Sequence, residues 1–101
     1  MLGGWKRLSF KEHDVFIDEA RHFSEMLVKH KFDYEYNCYP MEVYYKEDNG
    51  KNYKILLLGK HSKKDEFKCF SSVIVFPEGK RVCPELKKIH LKLSMEQIVQ
   101  N

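Results

Sequence analysis

Residues 9–31 read SFKEHDVFIDEARHFSEMLVKHK, and the spacing inside them decides the fold class. Phe16, Ala20, Phe23, Leu27 and His30 recur every three or four residues, which puts them on one face of an α-helix. Asp14, Asp18, Arg21, Glu25 and Lys29 take the other face, and Glu25 precedes Lys29 by four, the favourable order for an exposed ion pair. Ser9-Phe10-Lys11-Glu12 fits the capping box, in which Ser9 accepts from an amide three residues on while Glu12 reaches back. The pattern predicts an amphipathic helix from about residue 10 to residue 31.

After the helix the hydrophobic period shortens to that of a strand. Phe32, Tyr34, Tyr36 and Cys38 alternate with Asp33, Glu35 and Asn37; beyond Pro40 the apolar set moves to Met41, Val43 and Tyr45. A change of parity across a proline predicts a bulge, or a break between two strands, at a sheet edge or bend. Asp48-Asn49-Gly50-Lys51 is a hairpin signal of type I′, because Asn-Gly accepts positive φ. A strand follows from Tyr53 to Leu58, and its unbroken run Ile55-Leu56-Leu57-Leu58 predicts burial on both faces. Gly59 to Glu66 reads as a polar loop, Phe67 to Phe76 as the next strand and Pro77-Glu78-Gly79-Lys80 as a turn, with a short strand at Arg81-Val82-Cys83. Residues 85–93 fit a helix through Leu86, Ile89 and Leu93, or a strand through Ile89, Leu91 and Leu93. A second capping box, Ser94-Met95-Glu96-Gln97, favours the strand followed by a short terminal helix. The order predicts an α+β domain over residues 1–101: one long N-terminal amphipathic helix on an antiparallel meander of three to five strands, with a short C-terminal helix. The sheet's second face is then left to solvent or to a partner.

Leu, Ile, Val and Phe supply 28 of the 101 residues, enough for a core without staples. No apolar run approaches the ~20 residues of a membrane-spanning helix. The segment Met1–Arg7 has no apolar signal core, so the expectation is a soluble cytoplasmic protein with no membrane partner. The net charge of +3 conceals an asymmetry: residues 1–50 carry −3 and residues 51–101 carry +6. If the fold separates the halves, the surface is dipolar. Fifteen of the eighteen cations are lysine, which suits phosphate attraction and not the bidentate reading of bases by arginine. Cys38, Cys69 and Cys83 are odd in number and lack C-x-x-C spacing, so neither a disulfide framework nor a zinc ribbon is expected, and no cofactor is implied.

Two features carry the functional expectation. Lys60-His61-Ser62-Lys63-Lys64 is the densest basic segment, extended by Lys68, Lys80 and Arg81. The tyrosines, Tyr34, Tyr36 and Tyr44 foremost, are interleaved with Asp33, Glu35 and Glu42, which repel a phosphate backbone and favour core packing or a protein partner over base stacking. These residues point to a non-enzymatic macromolecule-binding protein, a small regulator or inhibitor that occludes a site on a protein or protein–nucleic-acid complex. A phage-encoded blocker of a host defence nuclease is one such role. The second reading is a non-specific nucleic-acid-binding module using Lys60, Lys63, Lys64, Lys68 and Lys80. The third is a small metal-dependent nuclease, since Asp48 with Glu66-Phe67-Lys68 resembles the D…E-x-K pattern of restriction-type nucleases. The helix–sheet–helix order resembles that of the double-stranded-RNA-binding domain. Lys87-Lys88-Ile89-His90-Leu91 lacks the alanine of that family's final-helix pattern, and membership is not implied.

Overall fold

Asp14, not Ser9, starts the helix. In the computed structural model, which describes residues 4–12, 14–78 and 85–94 (the last ten by their backbone), α1 spans Val15–Lys31. The Asp14 carboxylate accepts from the Phe16 N–H at 2.8 Å. The Ser9 side chain instead accepts from the Lys11 N–H, and the Ser9 carbonyl from the Glu12 N–H, closing an isolated turn. The cause lies just upstream: Lys6–Leu8 form a short strand, β1, paired with Val43–Tyr45, so the chain must reverse before it can coil. Glu25 pairs back to Arg21, at 3.1 Å, rather than forward to Lys29.

Four strands follow, β2 (Tyr36–Glu47), β3 (Gly50–His61), β4 (Phe67–Pro77) and β5 (Glu85–Ser94), in an antiparallel sheet of order β1-β2-β3-β4-β5. The α+β architecture and the meander are those expected. Residues 85–94 are strand, and the register explains their double reading. Leu86 pairs with Ile74 and Ile89 with Ser72, so one extra residue sits between them. A bulge thereby turns a strand spacing of two into the three of a helix. The expected strand at 81–83 and the expected helix from Met95 lie outside the described residues.

The parity change at Pro40 is a bulge within one continuous strand: Pro40 pairs with Leu57 and Glu42 with Leu56, leaving Met41 unpaired. It keeps Tyr36, Cys38, Val43 and Tyr45 on the side facing α1 although their numbers change from even to odd. The hairpin β2–β3 closes as Glu47↔Lys51, leaving three residues in the reversal instead of the two of a type I′ turn. Asn49 and Gly50 both have positive φ as expected, and the Asn52 amide donates to the Asp48 carbonyl at 2.9 Å to hold the turn. Gly50 is required twice over, since its φ is +125° and an added Cβ would fall 2.3 Å from the Phe76 carbonyl of β4.

The core forms where α1 crosses the sheet. Ile17, Ala20, Ser24 and Val28 are buried; of the expected face Ala20 is among them, while Phe16, Phe23 and Leu27 are half-buried flanks. His30 is exposed. Below them lie Ile55, Leu57, Phe70 and Ile74. Aromatic groups close both ends: Phe16, Phe76, Tyr53 and Tyr45 at one, Phe32, Tyr36, Phe70 and His61 at the other. Gly59 leaves the space that the Phe70 ring fills, at 2.4 Å from where a Cβ would stand. In the middle, the Ser72 hydroxyl donates to the Ser24 hydroxyl at 2.6 Å, with both side chains buried.

Replacing Ser24 alone by Ala is expected to lower stability by about 1–2 kcal/mol, because the Ser72 hydroxyl loses its buried partner. The double variant Ser24→Ala/Ser72→Ala is expected to recover much of the loss. Urea unfolding of the four proteins of this double-mutant cycle measures the coupling.

Candidate interaction surface

Strand parity divides the exposed chemistry into two regions. The first is the end of the sheet where β2 begins and β3 meets β4. His61 is 7 % exposed, and its Nδ1 accepts from the Lys63 and Lys64 N–H groups, both at 3.0 Å. An imidazole nitrogen that accepts twice carries no proton, so in the neutral ring Nε2 bears it, facing Glu35 Oε2 at 3.3 Å. Tyr36, 3 % exposed, donates from its hydroxyl to Glu66 Oε2 at 2.5 Å. Burial, then this hydrogen bond, pushes the Tyr36 phenol up to about 12. The same bond holds the Glu66 carboxyl below its ordinary value. The Lys68 ammonium lies over the Tyr36 ring.

Tyr36 and His61, both expected to contact a partner, are therefore packing and hydrogen-bonding residues with little surface to offer. Lys60 and His61 belong to β3, and the loop itself is only Ser62–Glu66. Lys63 and Lys64 are exposed there, and Tyr34, 62 % exposed, sits at the neighbouring helix exit. Lys80 and Arg81 lie outside the described residues. Three lysines at this end, Lys63, Lys64 and Lys68, share it with four carboxylates, Asp33, Glu35, Asp65 and Glu66. The basic loop is locally balanced, which removes the main support for a phosphate-binding loop. Asp48 and Glu66 stand at opposite ends of β3, roughly 35 Å apart at strand rise, so the D…E-x-K carboxylates are not assembled.

The second region is the sheet face away from α1. In rows across β2, β3 and β4 it presents Asn37–Lys60–Phe67, Tyr39–Leu58–Cys69, Glu42–Leu56–Ser71 and Tyr44–Lys54–Val73. Tyr39 and Met41 are 54 % and 41 % exposed. Met41, the bulge residue, lies 3.9 Å from the Cys69 sulfur, Sδ to Sγ. Leu56, Leu58 and Val73 are half-buried, while Cys69, Ser71 and Val75 of β4 on the same face are buried. Among the described residues the run Ile55–Leu58 thus has a helix on one side: Ile55 and Leu57 are buried beneath α1, whereas Leu56 and Leu58 lie on the other side.

Of the described side chains, Arg7, Lys46, Lys54 and Lys60 stand on this face with Glu42, and Lys46 is paired with Asp48 of the turn at 4.0 Å. Glu42 is already engaged, accepting from the Tyr44 hydroxyl at 2.6 Å and paired with Arg7 at 3.5 Å. That hydrogen bond, with burial second, raises the Tyr44 phenol above its ordinary value. Residues 11–33 carry six carboxylates and four cations, but the halves of the chain are not sorted by face: Arg7 and Lys46 share the face of Lys54, while Lys51 and Lys68 lie over Phe16 and Tyr36 on the helix side. Three of the face's aromatic rings have a lysine over them: Lys54 lies 4.9 Å from the Trp5 centroid and 5.2 Å from that of Tyr44, and Lys60 lies 5.9 Å from that of Phe67. Of the expected residues, Lys60 and Tyr44 belong here. Tyr39, one of the tyrosine series, lies here too; Trp5, Met41, Lys54, Leu56 and Leu58 are not candidates by sequence, although the four-residue apolar run holds the signal for the last two.

Comparison with protein-family models, curated proteins and solved structures finds no match for the chain. No helix among the described residues is long and apolar enough to cross a membrane.

Because the Glu66 carboxyl is lowered, its contribution to stability is present above the unfolded value of 4.5 and is lost as pH falls through the folded value. The melting-temperature gap between wild type and Tyr36→Phe is therefore expected to be largest near neutrality and to shrink below pH 4.5.

Proposed function

We propose that the chain is a non-catalytic binding protein that acts by occupying the surface of a protein partner, as a small regulator or inhibitor. The observation that carries this reading is the open sheet face: aliphatic side chains in its centre, half-buried or exposed, with cations around them. A contiguous apolar patch rimmed by polar groups is the ordinary mark of a protein contact. Occlusion needs no chemistry from the chain. The nucleic-acid reading has weaker support. The loop lysines are balanced by carboxylates, and three of the rings that would stack on bases have lysine ammonium groups over them. No residue speaks for a phage origin or for a nuclease as the target.

Replacing Tyr39 and Met41 together by Asp is expected to leave the melting temperature within a few degrees of wild type, since both are exposed. It is expected to abolish capture of whichever protein the wild type retains from its native cell. The control Val15→Asp, on the helix side, is expected to retain that protein. Equal capture by all three would remove the open face as the contact. Nucleic acid copurifying with wild type, and released steeply by salt, would favour the second reading.

A further inference from the structure

We infer that the open face takes an acidic amphipathic helix, laid along β3 with its apolar stripe on Leu56 and Leu58 and carboxylates at both ends. This rests on the binding reading above and names the partner's chemistry. Three observations support it.

The first is the unfinished burial of β3. One face of the strand is closed by α1 through Ile55 and Leu57; on the other Leu56 and Leu58 are half-buried, with Ser71 and Cys69 buried on their β4 side and Met41 exposed on their β2 side. A sheet with aliphatic residues on both faces is completed by a helix on each.

The second is the placement of charge. Lys54 and Lys60 stand on the same face of β3, six residues apart, roughly 20 Å at strand rise. Leu56 and Leu58 lie between them. Among the described residues neither lysine has a carboxylate within ion-pair distance. An apolar centre with a cation at each end fits a helix of about 13 residues bearing a carboxylate at each end.

The third observation discriminates against a single-stranded nucleic acid. Such a ligand needs a run of free aromatic faces, and among the described residues of this face only Tyr39 has a ring without a lysine over it. The centre is aliphatic, which suits leucine-like side chains and not bases.

Trp5 is the single tryptophan, and Lys54 lies over its ring, so its emission reports on engagement of that lysine. The probes are two synthetic 14-residue helical peptides with leucines at three–four spacing, one ended by glutamates and one by lysines. By Trp5 emission the glutamate-ended peptide is expected to bind about tenfold more tightly. Lys54→Glu/Lys60→Glu is expected to invert the preference, and Lys54→Gln/Lys60→Gln, a gentler change, to abolish it. Equal binding of the two peptides overturns the inference, as does displacement of the acidic peptide by oligo-dT. Tighter binding by a chain ending at Ser94 would seat the protein's own tail on the face, and a dimer dispersed by Tyr39→Asp would seat a second copy there; each overturns it too. If Tyr39→Asp/Met41→Asp loses the native partner while both charge variants keep it, the binding reading stands and the acidic helix falls.

Discussion

The close seating of α1 on β3 and β4 is the constraint on which the rest of the structure depends. Ala20 and Ser24, both small and fully buried, let the helix backbone approach the sheet, and the Ser72 hydroxyl meets Ser24 where a larger side chain would hold the layers apart. A buried hydroxyl pair is directional, whereas aliphatic packing alone tolerates sliding. It therefore fixes where along the strands the helix rests. The aromatic groups at either end then fill the wider gaps opened by sheet twist.

Much of this was legible in the sequence. Helix, meander and bulge follow from periodicity and from Pro40, because period reports directly on which face meets water. What was not legible is instructive. The helix start was misplaced because Ser9 and Glu12 satisfy a local hydrogen-bonding rule, and nothing local shows that Leu8 is committed to Val43, 35 residues on. Ser24 is absent from the expected face because Phe16, Phe23 and Leu27 outrank it in hydrophobicity, while proximity favours the smaller residue. β3 ran three residues past its apolar part at each end, because strand length is set by pairing and not by hydrophobicity alone.

The candidate residues are redistributed by the fold, for a related reason. Clustering along the chain drew attention to Lys60-His61-Ser62-Lys63-Lys64, but the fold scatters that cluster. It buries His61, sets Lys60 on the open face and surrounds the remaining lysines with carboxylates. Side-chain parity recovers the face that clustering missed. Once Met41 is counted as an extra residue, Tyr39, Leu58 and Cys69 fall into one row, and the even-numbered residues of β3 line up beside them. Exposure on a sheet is a property of rows across strands, and rows are invisible until register is known.

The bulge at Met41 bears on self-assembly as well. β1 shields only Val43–Tyr45, so among the described residues the length of β2 from Tyr36 to Pro40 has a strand on one side alone. Such an edge is a template on which foreign strands can polymerise. Pro40 has no N–H to donate, and Met41 breaks the regular ladder beside it, so an incoming strand would find neither a full set of donors nor a straight track. The irregularity that keeps the core in phase also acts as a guard against fibril growth from this margin.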